Sequence, residues 1–183
     1  MKLKNKPKTI VITGAESTGK SALSKWLSNY YNAPIIPEFA REYIENLGLH
    51  YEYADVEIIA RQQIKQFDLH KKQGHALFFA DTWLIITKIW FEEVYNHVPA
   101  WLEPAIRNEN IDLFLVCDTD LPWVPDKVRE NGGEKRDFLQ SRYIEAIRNY
   151  GFKFEIVNGI DTARYQKALH YLEQSGIVKP NYT

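Results

Sequence analysis

Short apolar runs alternate with longer amphipathic stretches along this chain. Five of the runs predict strands: Ile10–Thr13, Pro34–Pro37, Leu77–Ala80, Leu113–Cys117 and Phe154–Val157. They are rich in β-branched and aromatic residues, as strands buried on both faces are. Helical spacing fills the gaps. Leu23, Leu27 and Tyr30 share a face of a helix over 21–31, and Val56, Ala60, Ile64 and Phe67 share one over 55–73. The segment Thr82–Asn96 is apolar nearly all round, which predicts one deeply buried helix. Shorter helices are expected over 41–47, 100–108, 138–149 and 162–174. Strands alternating with helices predict an α/β fold, a five-stranded parallel sheet with helices on both faces.

The turn after the first strand carries chemistry. Gly14-Ala15-Glu16-Ser17-Thr18-Gly19-Lys20-Ser21 fits the phosphate-loop pattern G-x-x-x-x-G-K-[ST] at every fixed position. It lies between a strand and a helix, the context that gives the motif meaning. Glycines let successive N–H groups converge on one oxyanion, and the helix that follows adds its positive end. Gly14, Glu16, Ser17, Thr18, Gly19, Lys20, Ser21 and Ala22 are thus expected around the phosphates of a nucleotide. Lys20 supplies a point charge to the β- and γ-phosphates, and Ser21 a hydroxyl to Mg²⁺. This makes the fold a P-loop NTPase fold, with ligands beyond the carboxyl ends of the strands.

Composition narrows the setting. The chain has 183 residues, a formal net charge of -1 and 45% hydrophobic residues. It reads as a single domain over 1–183, with no basic face for nucleic acid. One cysteine, Cys117, lies inside an apolar run and is expected to be a core residue. The basic start, Met1 to Lys8, lacks the apolar stretch of a signal peptide, and no run is long enough to span a bilayer. A cytoplasmic protein without a membrane or nucleic-acid partner is the expectation.

Other strand ends offer the remaining groups. Asp81 closes the third strand, where it can sit near Mg²⁺ or accept a proton from a substrate hydroxyl. Glu38, in Pro37-Glu38-Phe39-Ala40-Arg41-Glu42-Tyr43, faces the acceptor across the cleft and is the rival base. Arg41 can hold a phosphate oxygen or pin Glu38. After the fourth strand, residues 119–137 are polar, punctuated by proline and glycine, and rich in cations. That describes a lid over a triphosphate. Arg129 and Arg136 are its first candidates for neutralising transition-state charge, with Lys127, Lys135 and Arg142 behind them. Asn158, at the end of the last strand, is placed to meet the nucleotide base. No N-K-x-D guanine motif follows the loop, and the histidines show no metal spacing.

With these residues in place, the chain resembles the ribosylnicotinamide kinase domain of the NadR family. The segments that carry the likeness are GAESTGKS at 14–21, PEFAREY at 37–43, FFADTW at 78–83 and DTDLPWVPDKVRENG at 118–132. The resemblance implies a nucleoside/nucleotide-kinase type of fold and ATP-dependent phosphorylation of the 5′-hydroxyl of nicotinamide riboside. NadR proteins carry an adenylyltransferase domain ahead of the kinase, whereas the phosphate loop here begins at Gly14, so a stand-alone kinase is expected. The pyridinium ring of that riboside is flat and cationic and should prefer aromatic faces and carboxylates. Phe39, Tyr43, Trp83 and Trp90 are the stacking candidates, Trp83 and Trp90 being expected on one face of the 82–96 helix. A neutral nucleoside acceptor or a regulatory ATPase remains the alternative.

Overall fold

The computed structural model describes residues 6–48 and 50–177. Most of the basic start, residues 1–5, lies outside that range. Five strands form: β1 (Lys8–Thr13), β2 (Ile35–Ile36), β3 (Leu77–Asp81), β4 (Leu113–Cys117) and β5 (Phe154–Val157). All pair in parallel, in the order β2-β3-β1-β4-β5. The five expected strands are therefore all present. Seven α-helices connect or follow them: α1 (Lys20–Tyr31), α2 (Phe39–Asn46), α3 (Tyr53–Lys72), α4 (Leu84–Trp90), α5 (Leu102–Arg107), α6 (Gly133–Asn149) and α7 (Asp161–Gln174).

The pleat divides the core into two layers, because successive strand residues point to opposite faces. Ile10, Ile12, Phe79, Leu113, Leu115 and Cys117 face α1 and α7, where Leu23, Leu27, Ala168 and Leu172 meet them. Val11, Phe78, Ala80, Phe114 and Val116 face the opposite layer of Val56, Ala60, Phe67, Leu84, Ile89, Leu102, Leu139 and Ile147. Helix α1, after β1, thus covers one face, and α4, after the adjacent β3, covers the other. That divergence opens a crevice at the carboxyl ends of β1 and β3, the place where open α/β sheets bind ligands.

Two elements differ from the sequence-based expectation. The stretch 82–96 is not one helix. Thr82 has φ +68°, and its N–H still bonds the Ile12 carbonyl at 2.8 Å, so α4 starts only at Leu84. After Trp90 the chain turns more widely, as a π-helical turn over Phe91–Tyr95, and Asn96 ends it in the left-handed region. Trp83 is extended rather than helical. Its expected common helix face with Trp90 therefore does not exist. Of the 119–137 segment expected to be a lid, residues 133–137 belong to α6, which begins at Gly133. Gly132 lies against the Trp123 ring, where an added Cβ would stand 3.3 Å away, and this contact seats the start of the helix.

Candidate active site

The phosphate loop is shaped by three residues with positive φ: Gly14 at +135°, Ser17 at +59° and Gly19 at +78°. Only glycine fits at the first of these. A Cβ on Gly14 would stand 2.5 Å from the Cys117 carbonyl oxygen. Gly19 forms the left-handed N-cap of α1, and the Leu23 N–H returns to its carbonyl at 3.0 Å. Inside the loop the Thr18 hydroxyl donates to the Ala15 carbonyl at 2.8 Å, and Lys20 Nζ donates to the same oxygen at 2.8 Å. Glycine placement, helix start and lysine are those of an anion cradle.

Three buried side chains hold this loop by its backbone. Gln140 of α6 accepts from the Ala15 N–H at 2.8 Å and donates to the Cys117 carbonyl at 2.9 Å. Arg136, one turn earlier, donates to the carbonyls of Glu16, Leu121 and Ser17 at 2.9, 2.9 and 3.1 Å. Arg164 of α7 donates to the carbonyls of Thr18 and Gly159 at 2.7 and 2.8 Å, and pairs with Asp120. Arg136 is consequently not a lid arginine free to reach a phosphoryl group. It is 7% exposed, and each of its three nitrogens is held by a backbone carbonyl. Gln140, Arg164 and Asp120 had no part in the sequence-based site. The available signal was a polar residue in an apolar stripe: Arg136, Gln140, Tyr143 and Ile147 recur along α6, as do Arg164, Ala168 and Leu172 along α7.

Asp81 lies at the crevice, 4% exposed. Burial pushes its carboxyl up to about 6, and the Glu38 charge adds to this, against the opposing pull of Ser21 and Lys20. Its Oδ1 is buried with no hydrogen-bond partner. It caps no helix, because Thr82 and Trp83 intervene before α4. An unpartnered buried carboxylate oxygen beside a hydroxyl is a donor set that suits Mg²⁺, a cation that keeps several water and phosphate ligands. Glu38 is only partly buried and stands at the N-terminus of α2, where its side chain makes no capping bond. Arg41 does not pin it. The Arg41 guanidinium reaches Glu45 at 3.2 Å and Asp126 of the lid at 2.6 Å.

The segment 119–132, expected to act as a lid, lies across the loop and is anchored at both ends. Ser17 Oγ donates to the Pro122 carbonyl at 3.1 Å and accepts from the Val124 N–H at 3.0 Å. The Glu16 carboxylate accepts from the N–H groups of Glu130 and Asn131 at 3.3 and 3.0 Å, and from the Asn131 side chain at 2.8 Å. Arg129 folds back onto Asp126 at 3.1 Å and onto the Val124 carbonyl. Burial works to raise the Asp126 carboxyl, but Arg41, the Val128 N–H and Arg129 outweigh it and hold the carboxyl below its ordinary value. Lys135 and Arg142 belong to α6 and pair with Glu93, not with the lid.

Beside the lid is a cavity of about 640 Å³ lined by His50, Tyr51, Glu52, Asp55, Val94, Tyr95 and Glu130. The Tyr43 hydroxyl donates to Asp55 at 2.9 Å, and the Phe39 and Tyr43 rings are 5.6 Å apart, so α2 leads from Glu38 to this cavity. Trp90 backs it, edge to face with Tyr51 at 4.7 Å. Trp83 does not reach it. That ring is 1% exposed and packs on Phe67 at 5.3 Å, a core residue rather than a stacking platform. Asn158 is exposed, with its side chain taken by Lys167. Cys117 is fully buried, and burial pushes its thiol up to about 11, as a core residue requires. Among the described residues no helix is long and apolar enough to cross a membrane.

A parallel sheet in this order, a phosphate loop after β1 and an acid closing β3 define a P-loop nucleotide-binding fold of the nucleoside-kinase type. Residues 9–164 match the AAA_28 family, described as an AAA domain, and the chain belongs to that family. Among characterised proteins it is similar to the trifunctional NAD biosynthesis/regulator protein NadR of Salmonella typhimurium. The two are 26% identical over 159 residues, 84% of this chain and 39% of that protein. The NadR of Escherichia coli K12 is 26% identical over 153 residues, 80% of this chain and 37% of that protein. The chain thus spans under two fifths to about two fifths of the length of these relatives. The resemblance to NadR seen in the sequence is borne out in the fold as well. A crystal structure of NadR in complex with NR superposes with a TM-score of 0.79 over 98% of this chain and 55% of that one, at 21% identity. Deoxyadenosine kinase from M. mycoides with bound dATP matches with a TM-score of 0.64 over 91% of this chain and 99% of that one, at 16% identity.

Proposed function

We propose that this chain transfers the γ-phosphoryl group of ATP to the 5′-hydroxyl of nicotinamide riboside, giving nicotinamide mononucleotide and ADP. The observation that carries the reading is the lid-side cavity. Its carboxylates, Glu52, Asp55 and Glu130, and its rings, Tyr51 and Tyr95, form a surface suited to a flat, permanently cationic base. The NadR likeness supports the same acceptor.

The residues divide the work. The loop amides and Lys20 bind the β- and γ-phosphates, and Asn158 lies toward the base. Ser21 and Asp81 would hold Mg²⁺, which when bound neutralises charge on the phosphate oxygens. Glu38, at the outer end of the crevice beside Phe39 and Tyr43, accepts the 5′-hydroxyl proton as the new O–P bond forms and the bond to the ADP oxygen breaks. Asp81 lies deeper, beside Ser21 and Lys20, and serves the metal rather than the base. Arg129 is the lid cation that turns toward the transferring group, while the lid excludes water.

The test is ATP consumption by purified protein in Mg²⁺, with and without nicotinamide riboside, with product mass recorded. Riboside-dependent formation of the mononucleotide, abolished by Lys20→Ala, is the expected result. ATP binding without riboside-dependent turnover, together with phosphorylation of a neutral deoxynucleoside, would replace this acceptor with another.

A further inference from the structure

The π-helical turn Phe91–Tyr95 does two things with consecutive residues. Val94 and Tyr95 line the lid-side cavity, while Glu92 and Glu93 face helices α4 and α6. All four carboxylate oxygens of that glutamate pair are taken. Lys88 holds Glu92 Oε1, and Arg142 Nη2 lies 2.8 Å from Glu92 Oε2. Arg142 Nη1 lies 2.6 Å from Glu93 Oε1, and Lys135 lies 2.8 Å from Glu93 Oε2. Arg142 alone bridges the two. Apart from the exposed Lys135, these groups are partly withdrawn from solvent, with Arg142 at 33% and Glu93 at 17% side-chain exposure. Networked and partly buried charges resist screening better than isolated surface pairs.

A π-turn is rare, and its hydrogen bonds span five residues where those of an α-helix span four. Had α4 simply continued, every residue after Phe91 would be rotated about the axis, and Val94 and Tyr95 would leave the cavity wall. Something outside the backbone must favour the wider turn. An arginine fork on α6 that holds two adjacent carboxylates is the candidate.

We infer that Arg142 is a positioning residue for the phosphoryl acceptor: by clamping Glu92 and Glu93 it holds the π-turn in the register that presents Val94 and Tyr95 to the lid-side cavity. The inference rests on reading that cavity as the acceptor site. Arg142 itself does not line it, but faces a separate outer cavity with Glu103, Arg107 and Tyr150. The same helix carries Arg136 and Gln140, which hold the phosphate loop. One rigid element therefore fixes both the donor cradle and the acceptor wall.

Arg142→Met keeps the aliphatic stem and removes the fork, and Arg142→Lys restores a single charge. The expected result for Arg142→Met is an acceptor KM at least tenfold higher with the ATP KM within twofold, partly recovered in Arg142→Lys. Amide hydrogen exchange over residues 91–96 should quicken about tenfold while residues 14–21 keep their parental rate. Unchanged exchange over 91–96 would overturn the inference. So would acceptor and ATP KM values that rise together, which marks general loosening. The exchange measurement needs no substrate, so a parent protein inactive on the riboside sinks the substrate reading and leaves this comparison standing. Should Arg142→Met fail to fold, Glu93→Gln carries the same test.

Discussion

Arg164 Nη1 lies 2.7 Å from the Thr18 carbonyl oxygen, joining α7 to the phosphate loop across 146 positions of sequence. Arg164 is 3% exposed, and its other donors go to Gly159 and Asp120. Removing this buried guanidinium leaves the Thr18 and Gly159 carbonyls without that donor and Asp120 with only the Gly159 N–H, at a cost of about 2–4 kcal/mol. Arg164→Met is thus expected to lower the unfolding midpoint and to raise the ATP KM more than the acceptor KM. Chemical denaturation and initial rates check both. A midpoint within experimental scatter of the parent would show that the loop holds its shape without this strut.

Asp81 supplies a pH test. Its folded-state carboxyl is raised from 3.8 to about 6, first by burial and then by Glu38. The folded protein therefore holds that proton more tightly than the unfolded chain does. Stability from this group is fully present below pH 4 and is lost as pH rises through 6. Asp81→Asn removes the buried charge. Measured in EDTA at pH 7.5, the variant should be more stable than the parent by about 1–3 kcal/mol, with the gap closing toward pH 4. Its phosphoryl transfer should fall by about two orders of magnitude or more. Parallel stability profiles for variant and parent across that range would refute the assignment.

Glu16 ties the lid down through three N–H donors from Glu130 and Asn131. Glu16→Ala should free that end while leaving the Ser17 anchor in place. Trypsin cleavage after Lys127 or Arg129 is expected to quicken several-fold, with a change in global stability of about 1 kcal/mol or less. Cleavage at the parental rate would place the lid's attachment elsewhere.

The elements that sequence reveals best are those that demand a residue type. The phosphate loop needs glycine at positions 14 and 19, and buried parallel strands need β-branched or aromatic runs, so both stood out. Asp81 was legible because it interrupts an apolar strand end. The struts were not, because Gln140, Arg136 and Arg164 bond to backbone atoms, and a carbonyl leaves no mark of its own in the sequence. The π-turn was hidden for a related reason. Its composition is that of a helix, and its glutamates pair with Arg142 and Lys135 on another element, a contact that local periodicity does not register. Trp83 misled through its seven-residue spacing from Trp90, since the chain at Trp83 is extended and its ring points into the core.

The three struts grip main-chain atoms of residues 15–18 and ask nothing of the side chains there. Of those residues only Glu16 leaves the loop's curvature independent of its side chain, since Ala15 is buried, Ser17 sits at φ +59° and the Thr18 hydroxyl bonds within the loop. The Glu16 carboxylate reaches the covering segment and not the cradle, so a change of that one letter alters the cover while the phosphate cradle beneath keeps its form.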